Sequence, residues 1–174
     1  MANSNTAAHA HEDDLRHDRR ANPMGAYVAT AGVVVFLIAT FLDWVSTDES
    51  VTGSGYETDT TIPLVAYLGL GLAAALLYAL NRARGRQHRG LSLTTMAAGI
   101  AAAGLALSYV LDAPGALERG GDYSAEVGAW IGLVGAIVWA VGAYLLAKEP
   151  EGDDDWQGTE HRTSGHSATG HTAR

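Results

Sequence analysis

Residues 81–90 read Asn81-Arg82-Ala83-Arg84-Gly85-Arg86-Gln87-His88-Arg89-Gly90, a basic run between two long apolar runs. Flanked that way, the run predicts the turn between two membrane-spanning helices. Cytoplasmic turns retain Lys and Arg, so it also predicts the side of the membrane on which the turn lies. Every Lys and Arg except Arg119 falls on that side: Arg16, Arg19 and Arg20 ahead of the first apolar run, the turn itself, and Lys148, Arg162 and Arg174 after the last. The predicted topology puts both termini in the cytoplasm and two acidic loops outside.

Outward from the turn, the predicted spans are residues 62–80 and 91–111, then 24–42 and 127–147. At about 1.5 Å per residue, a run of roughly 20 residues crosses a ~30 Å hydrocarbon core. Pro63 suits the first turn of its helix, where its missing N–H has no partner anyway. Asp112-Ala113-Pro114-Gly115 stops the third span, and Lys148 closes the fourth, where a cation suits the helix dipole. The first span ends in Phe41-Leu42-Asp43-Trp44 rather than a small-x-small cleavage site, so it reads as an uncleaved anchor. The expected fold is an all-α integral membrane protein, an antiparallel bundle of four transmembrane helices over residues 23–148.

The remainder is polar. Residues 1–22 and 149–174 hold too few apolar side chains to offset their ordering entropy, so both tails are expected to be disordered. The second carries Asp153-Asp154-Asp155-Trp156 and a loose repeat at His161, His166 and His171. Residues 44–61 and 112–126 read as polar loops, the first holding Asp48, Glu49, Glu57 and Asp59. Tyr27, Tyr78 and Tyr144 are expected at the inner membrane boundary, and Trp44, Tyr109 and Tyr123 at the outer one.

Composition narrows the chemistry. The 174 residues carry a formal net charge of -8 and no cysteine. Disulfides, zinc–thiolate sites and thiol nucleophiles are excluded, and the acidic balance argues against nucleic acid as a partner. Abundant Ala and Gly, with Lys148 the lone lysine beside many arginines, read as the product of a high-GC bacterial genome, hence a bacterial plasma membrane. The Asp-x-Asp-x-Asp-Gly spacing of a calcium loop is missing, and so are the metalloprotease, phosphate-loop and nucleophile-elbow motifs. No metal or cofactor is expected. The spans carry no ionisable residue at mid-membrane, which argues against a proton relay or ion pathway.

Packing should run through small residues, because lipid tails are as apolar as leucine and burial alone does not join helices. The fourth span offers a seam at Gly128, Gly132, Gly135, Trp139 and Gly142, with the 4-3-4-3 spacing of a left-handed pair. Similar seams are Gly25, Ala29, Gly32, Phe36 and Ala39 in the first span, Tyr67, Gly71, Ala74 and Tyr78 in the second, and Ser92, Thr95, Gly99, Ala102 and Ala106 in the third. Phe36 and Trp139 would fill gaps left by facing glycines.

Two sets of residues are candidates for function. Phe36 and Trp139 could line an apolar pocket. The indole N–H of Trp139 needs an acceptor in a waterless interior, either a ligand or, more plainly, Ser108, Thr95 or a backbone carbonyl. Asp43 and Asp112 each follow a leucine at the outer end of a span, and with Arg119 they could form an outer-face site or simply sit solvated in the headgroup layer.

Phe41-Leu42-Asp43-Trp44, Leu111-Asp112-Ala113-Pro114-Gly115 and Gly128-Ala129-Trp130 together resemble small four-span membrane proteins of actinobacteria and related high-GC bacteria. Asp43 and Ala113 stand where those proteins usually have proline. The resemblance covers residues 24 to 147 and implies fold and membrane location, with no activity and no site. The expected function is non-enzymatic: an accessory or scaffolding subunit of a cell-envelope complex, meeting itself or another membrane protein in the bilayer. The alternative is a binder or carrier of a small apolar ligand, a lipid or quinone, near Phe36 and Trp139.

Overall fold

The computed structural model describes residues 22–47, 51–82, 88–111 and 123–149. Its elements in order are α1 (Met24–Ala39), β1 (Asp43–Thr47), β2 (Thr52–Ser54), α2 (Gly55–Thr58), α3 (Thr61–Arg82), α4 (Arg89–Leu111), β3 (Tyr123–Ala125) and α5 (Val127–Ala147). The predicted tails lie outside the described residues save for Asn22 and Glu149, and so do Asp112, Arg119 and the centre of the basic turn.

The described residues are mostly helical, and among them three helices are long and apolar enough to cross a membrane: Thr61–Asn81, Arg89–Leu111 and Val127–Ala147. Their outward side chains, among them Leu64, Leu68, Ile100, Val134 and Val141, are exposed. An apolar surface that wide marks a membrane protein. α1 is apolar but has only 16 residues, about 24 Å of helix. It stops three residues short of the expected span. From Thr40 to Leu42 the backbone N–H groups bond carbonyls three residues back, at 3.1–3.2 Å. This tighter winding ends the helix and turns the chain into β1.

α5 lies between α1 and α4, while α3 lies against α1 and α4. The α1–α5 contact is main chain on main chain. A Cβ on Gly32 would overlap the Trp139 backbone nitrogen, one on Gly142 would overlap that of Ala29, and one on Gly135 would lie 2.8 Å from the Phe36 nitrogen. α4 meets α5 at Gly99, where a Cβ would be 2.9 Å from the Ala140 nitrogen. The buried side of α4 is Ser92, Thr95, Gly99, Ala102, Ala106 and Tyr109.

α3 departs from the expected seam. Tyr67, Gly71, Ala74 and Tyr78 face outward, and a Cβ on Gly71 would meet nothing within 4 Å. Its buried side is Ile62, Ala66, Gly69, Ala73 and Leu76. Residues two apart on a helix point about 200° apart, so turning Gly69 inward turns Gly71 out. Trp139 sets that choice: its indole lies on Gly69, where a Cβ would be 2.6 Å from Cη2.

The all-α expectation needs correcting too. The two supposed loops contain a three-stranded antiparallel sheet in the order β2-β1-β3. Val45 pairs with Gly53 on one side and Ala125 on the other, so the central strand reaches a partner 80 positions further along the sequence. The backbone N–H of Glu126 bonds the Trp44 carbonyl at 2.9 Å, tying β1 to the start of α5. At the opposite end of the helices, Ala26, Leu76 and Leu146 form a smaller core with Leu91. There the backbone N–H of Asn22 lies 3.4 Å from the Glu149 carboxylate.

Candidate functional site

The helix interior is built around a column of aromatic rings. Trp139 meets Phe36 edge to face, with centroids 6.4 Å apart. Phe36 meets Trp44 at 6.0 Å and 80°, and Trp44 meets Tyr109 at 5.5 Å and 88°. Such edge-to-face pairs suit the ring quadrupoles and contribute about 0.5–1.5 kcal/mol each beyond area burial. Trp139, Phe36 and Trp44 are fully buried, and Tyr109 nearly so.

Each indole rests where glycine leaves room. Trp44 lies over the first turns of α5: a Cβ on Gly128 would be 2.7 Å from its Cδ1, and one on Gly132 would be 2.9 Å from its Cζ2. Its N–H donates to the Ala39 carbonyl at 2.7 Å, a second donor to an acceptor at the end of α1 that also takes the Leu42 N–H at 3.1 Å. Trp44 and Tyr109 are thus not the interfacial anchors expected from their positions. They are core residues that join sheet to helices, since the chain folds back at Asp43 and carries Trp44 inward.

At the top of the column, the Tyr109 hydroxyl donates to Asp59 Oδ2 at 3.1 Å. The other Asp59 oxygen accepts the Thr61 backbone N–H at 2.8 Å and caps α3. Glu57 also serves the backbone. Its carboxylate accepts both the Ser54 N–H and the Ser54 hydroxyl at 2.9 Å, closing a capping box over α2. These bonds, the backbone one foremost, hold the Glu57 carboxyl below the usual carboxylate range. Both acids came from a segment read as loop, and the role of Glu57 depends on α2, a short helix that the sequence does not announce.

Trp139 closes the column at its lower end without a partner for its Nε1. The expected bond to Ser108 or Thr95 is not made. Ser108 donates to the Leu105 carbonyl at 2.6 Å and Thr95 to the Leu91 carbonyl at 2.8 Å, each within its own helix, as hydroxyls on helices commonly do. Of the sequence-derived outer trio, only Asp43 is described: it is exposed at the start of β1. Asp112 and Arg119 lie outside the described residues. The structure brings Phe36 and Trp139 together, and adds Trp44, Tyr109 and Asp59 to them. The signal for these was faint: Trp44 lies five residues beyond Ala39, close enough to fold back on the end of its own helix.

Comparison with family models, curated proteins and solved structures finds no match for this chain.

Proposed function

We propose that the chain is a four-span protein of the bacterial plasma membrane with both termini cytoplasmic, acting without catalysis as an accessory or scaffolding subunit of a cell-envelope complex. The observation that carries this reading is the aromatic column. It fixes the small sheet rigidly to helices whose main chains already touch, and so makes a platform with a defined shape at one end. The arginine bias of the sequence supports the orientation, which puts the sheet outside. The resemblance to small four-span proteins of high-GC bacteria supports the membrane. Partners would be the lipid bilayer and either a second copy or another membrane protein. The test is native mass spectrometry after gentle extraction from the native membrane. A stoichiometric protein partner is expected, and a lone chain would remove the reading.

One observation favours a second reading, a binder or carrier of a small lipid or quinone near Phe36 and Trp139. A buried donor without an acceptor costs roughly 1–3 kcal/mol, and a ligand carbonyl would relieve that. On this reading a small molecule co-purifies with the wild type and is lost from Trp139→Phe, which keeps a ring but not the N–H. Equal retention by both proteins would dismiss it.

A further inference from the structure

We propose that Tyr56 and Tyr67 form a site of oxidative tyrosine–tyrosine coupling that braces the sheet end of the molecule. The two hydroxyls lie 2.5 Å apart, one donating to the other. They belong to different elements, Tyr56 to α2 and Tyr67 to α3. Neither phenol is closed off by the protein's own packing, Tyr56 being 37% and Tyr67 54% exposed. The Phe41 ring packs against Tyr56 with centroids 5.2 Å apart and steadies it. Tyr67 lies six residues into α3, about 9 Å along its axis, within reach of the aqueous boundary.

The chemistry follows from the phenol. A one-electron oxidant takes an electron from each ring while each hydroxyl proton passes to water, leaving two phenoxyl radicals. Spin on a phenoxyl radical spreads to the ring carbons next to the oxygen. Two radicals held side by side join there in a carbon–carbon bond, and each ring then returns the displaced hydrogen to its oxygen. The pair loses two electrons and two protons in all. With peroxide as terminal oxidant and a haem peroxidase to deliver single-electron steps, one hydrogen peroxide becomes two waters and the balance closes.

The other described tyrosines are placed differently. The Tyr109 hydroxyl is committed to Asp59 and buried, Tyr123 is half-buried on β3 opposite Thr47 of β1, and Tyr27, Tyr78 and Tyr144 lie toward the opposite ends of their helices. The chain has no cysteine, so a disulfide cannot do this work. A Tyr56–Tyr67 bond would tie α2, and through the Ser54–Glu57 capping box strand β2, to α3.

The test uses the full chain in detergent micelles, treated with hydrogen peroxide and a haem peroxidase. Proteolysis after Glu57 or before Asp59 separates Tyr56 from Tyr67 unless they are linked. The expected product is a cross-linked peptide pair from monomer-sized protein, two hydrogens lighter than the sum of its parts. Its yield should fall at least tenfold in Tyr56→Phe and in Tyr67→Phe, and stay unchanged in Tyr78→Phe. Both pair variants keep their rings and should elute as the wild type does. Coupling found only between chains, or a yield that survives in both pair variants, would overturn the proposal.

Discussion

Gly32 of α1 and Trp139 of α5 meet so closely that a single methyl group on Gly32 would overlap the Trp139 backbone nitrogen. Overpacking a core costs typically about 1–3 kcal/mol when side chains can shift aside. Here the obstacle is main chain, so Gly32→Ala is expected at or above the top of that range. Gly71→Ala is the control: it adds its methyl to open space and gains up to about 1 kcal/mol of helix propensity. Thermal unfolding in a mild detergent should rank the two proteins on opposite sides of wild type.

Trp44 separates two contributions. Trp44→Phe keeps a ring over Gly128 and Gly132 but drops the bond to the Ala39 carbonyl, which keeps the Leu42 N–H as its donor. The expected loss is about 0.5–1.5 kcal/mol. Trp44→Ala also empties the space and should lose about 3–5 kcal/mol. Denaturant unfolding followed by near-UV circular dichroism distinguishes the steps, and a Trp44→Phe protein as stable as wild type would mean that the hydrogen bond contributes nothing.

Tyr109 and Asp59 should be energetically coupled. Single variants Tyr109→Phe and Asp59→Asn each disturb other contacts, so the pair term comes from a double-mutant cycle. A hydrogen bond to a charged group supports a coupling of about 1.5–3 kcal/mol. A cycle that closes to zero would place the Tyr109 hydroxyl elsewhere in solution.

Glu57 gives the sheet end a pH dependence. Its carboxyl is depressed in the folded state by the Ser54 N–H and hydroxyl. A depressed carboxyl contributes stability that is complete above its unfolded value and fades as pH falls through the folded one. Protection of the Ser54 amide, taken relative to its intrinsic exchange at each pH, should therefore fall under acid, and Glu57→Gln should flatten that response. A Ser54 amide indifferent to acid in the wild type would contradict the capping box.

What the residues announced and what they hid divides along physical lines. The three long helices were legible because a bilayer demands unbroken apolar runs. The small-residue spacing in α1, α4 and α5 falls on their buried sides because close approach needs it. In α3 the same spacing misled: Tyr67, Gly71, Ala74 and Tyr78 look like a seam, and only the bulk of Trp139 over Gly69 decides which side turns inward. The sheet was illegible because β2 and β3 have three residues each, too few for an alternating pattern, and β1 finds β3 only across three intervening helices, α2, α3 and α4. Trp44 and Tyr109 were misplaced for the same reason. An aromatic at a span end suits a membrane boundary until a sheet folds over it.

The pairing of α1 with α5 also constrains how the molecule is made. The first helix leaves the ribosome about a hundred residues before its closest partner, and synthesis proceeds at roughly 5–20 residues per second. For a matter of seconds the glycine notches at 25 and 32 stand open with nothing to receive. Trp44 and Phe36 have no finished shelf either, since Gly128, Gly132 and Gly135 emerge last. Truncations that remove the final helix should leave an insertion intermediate recognised by membrane quality-control proteases, while the complete chain escapes them. The last helix is thus the closing wedge of assembly.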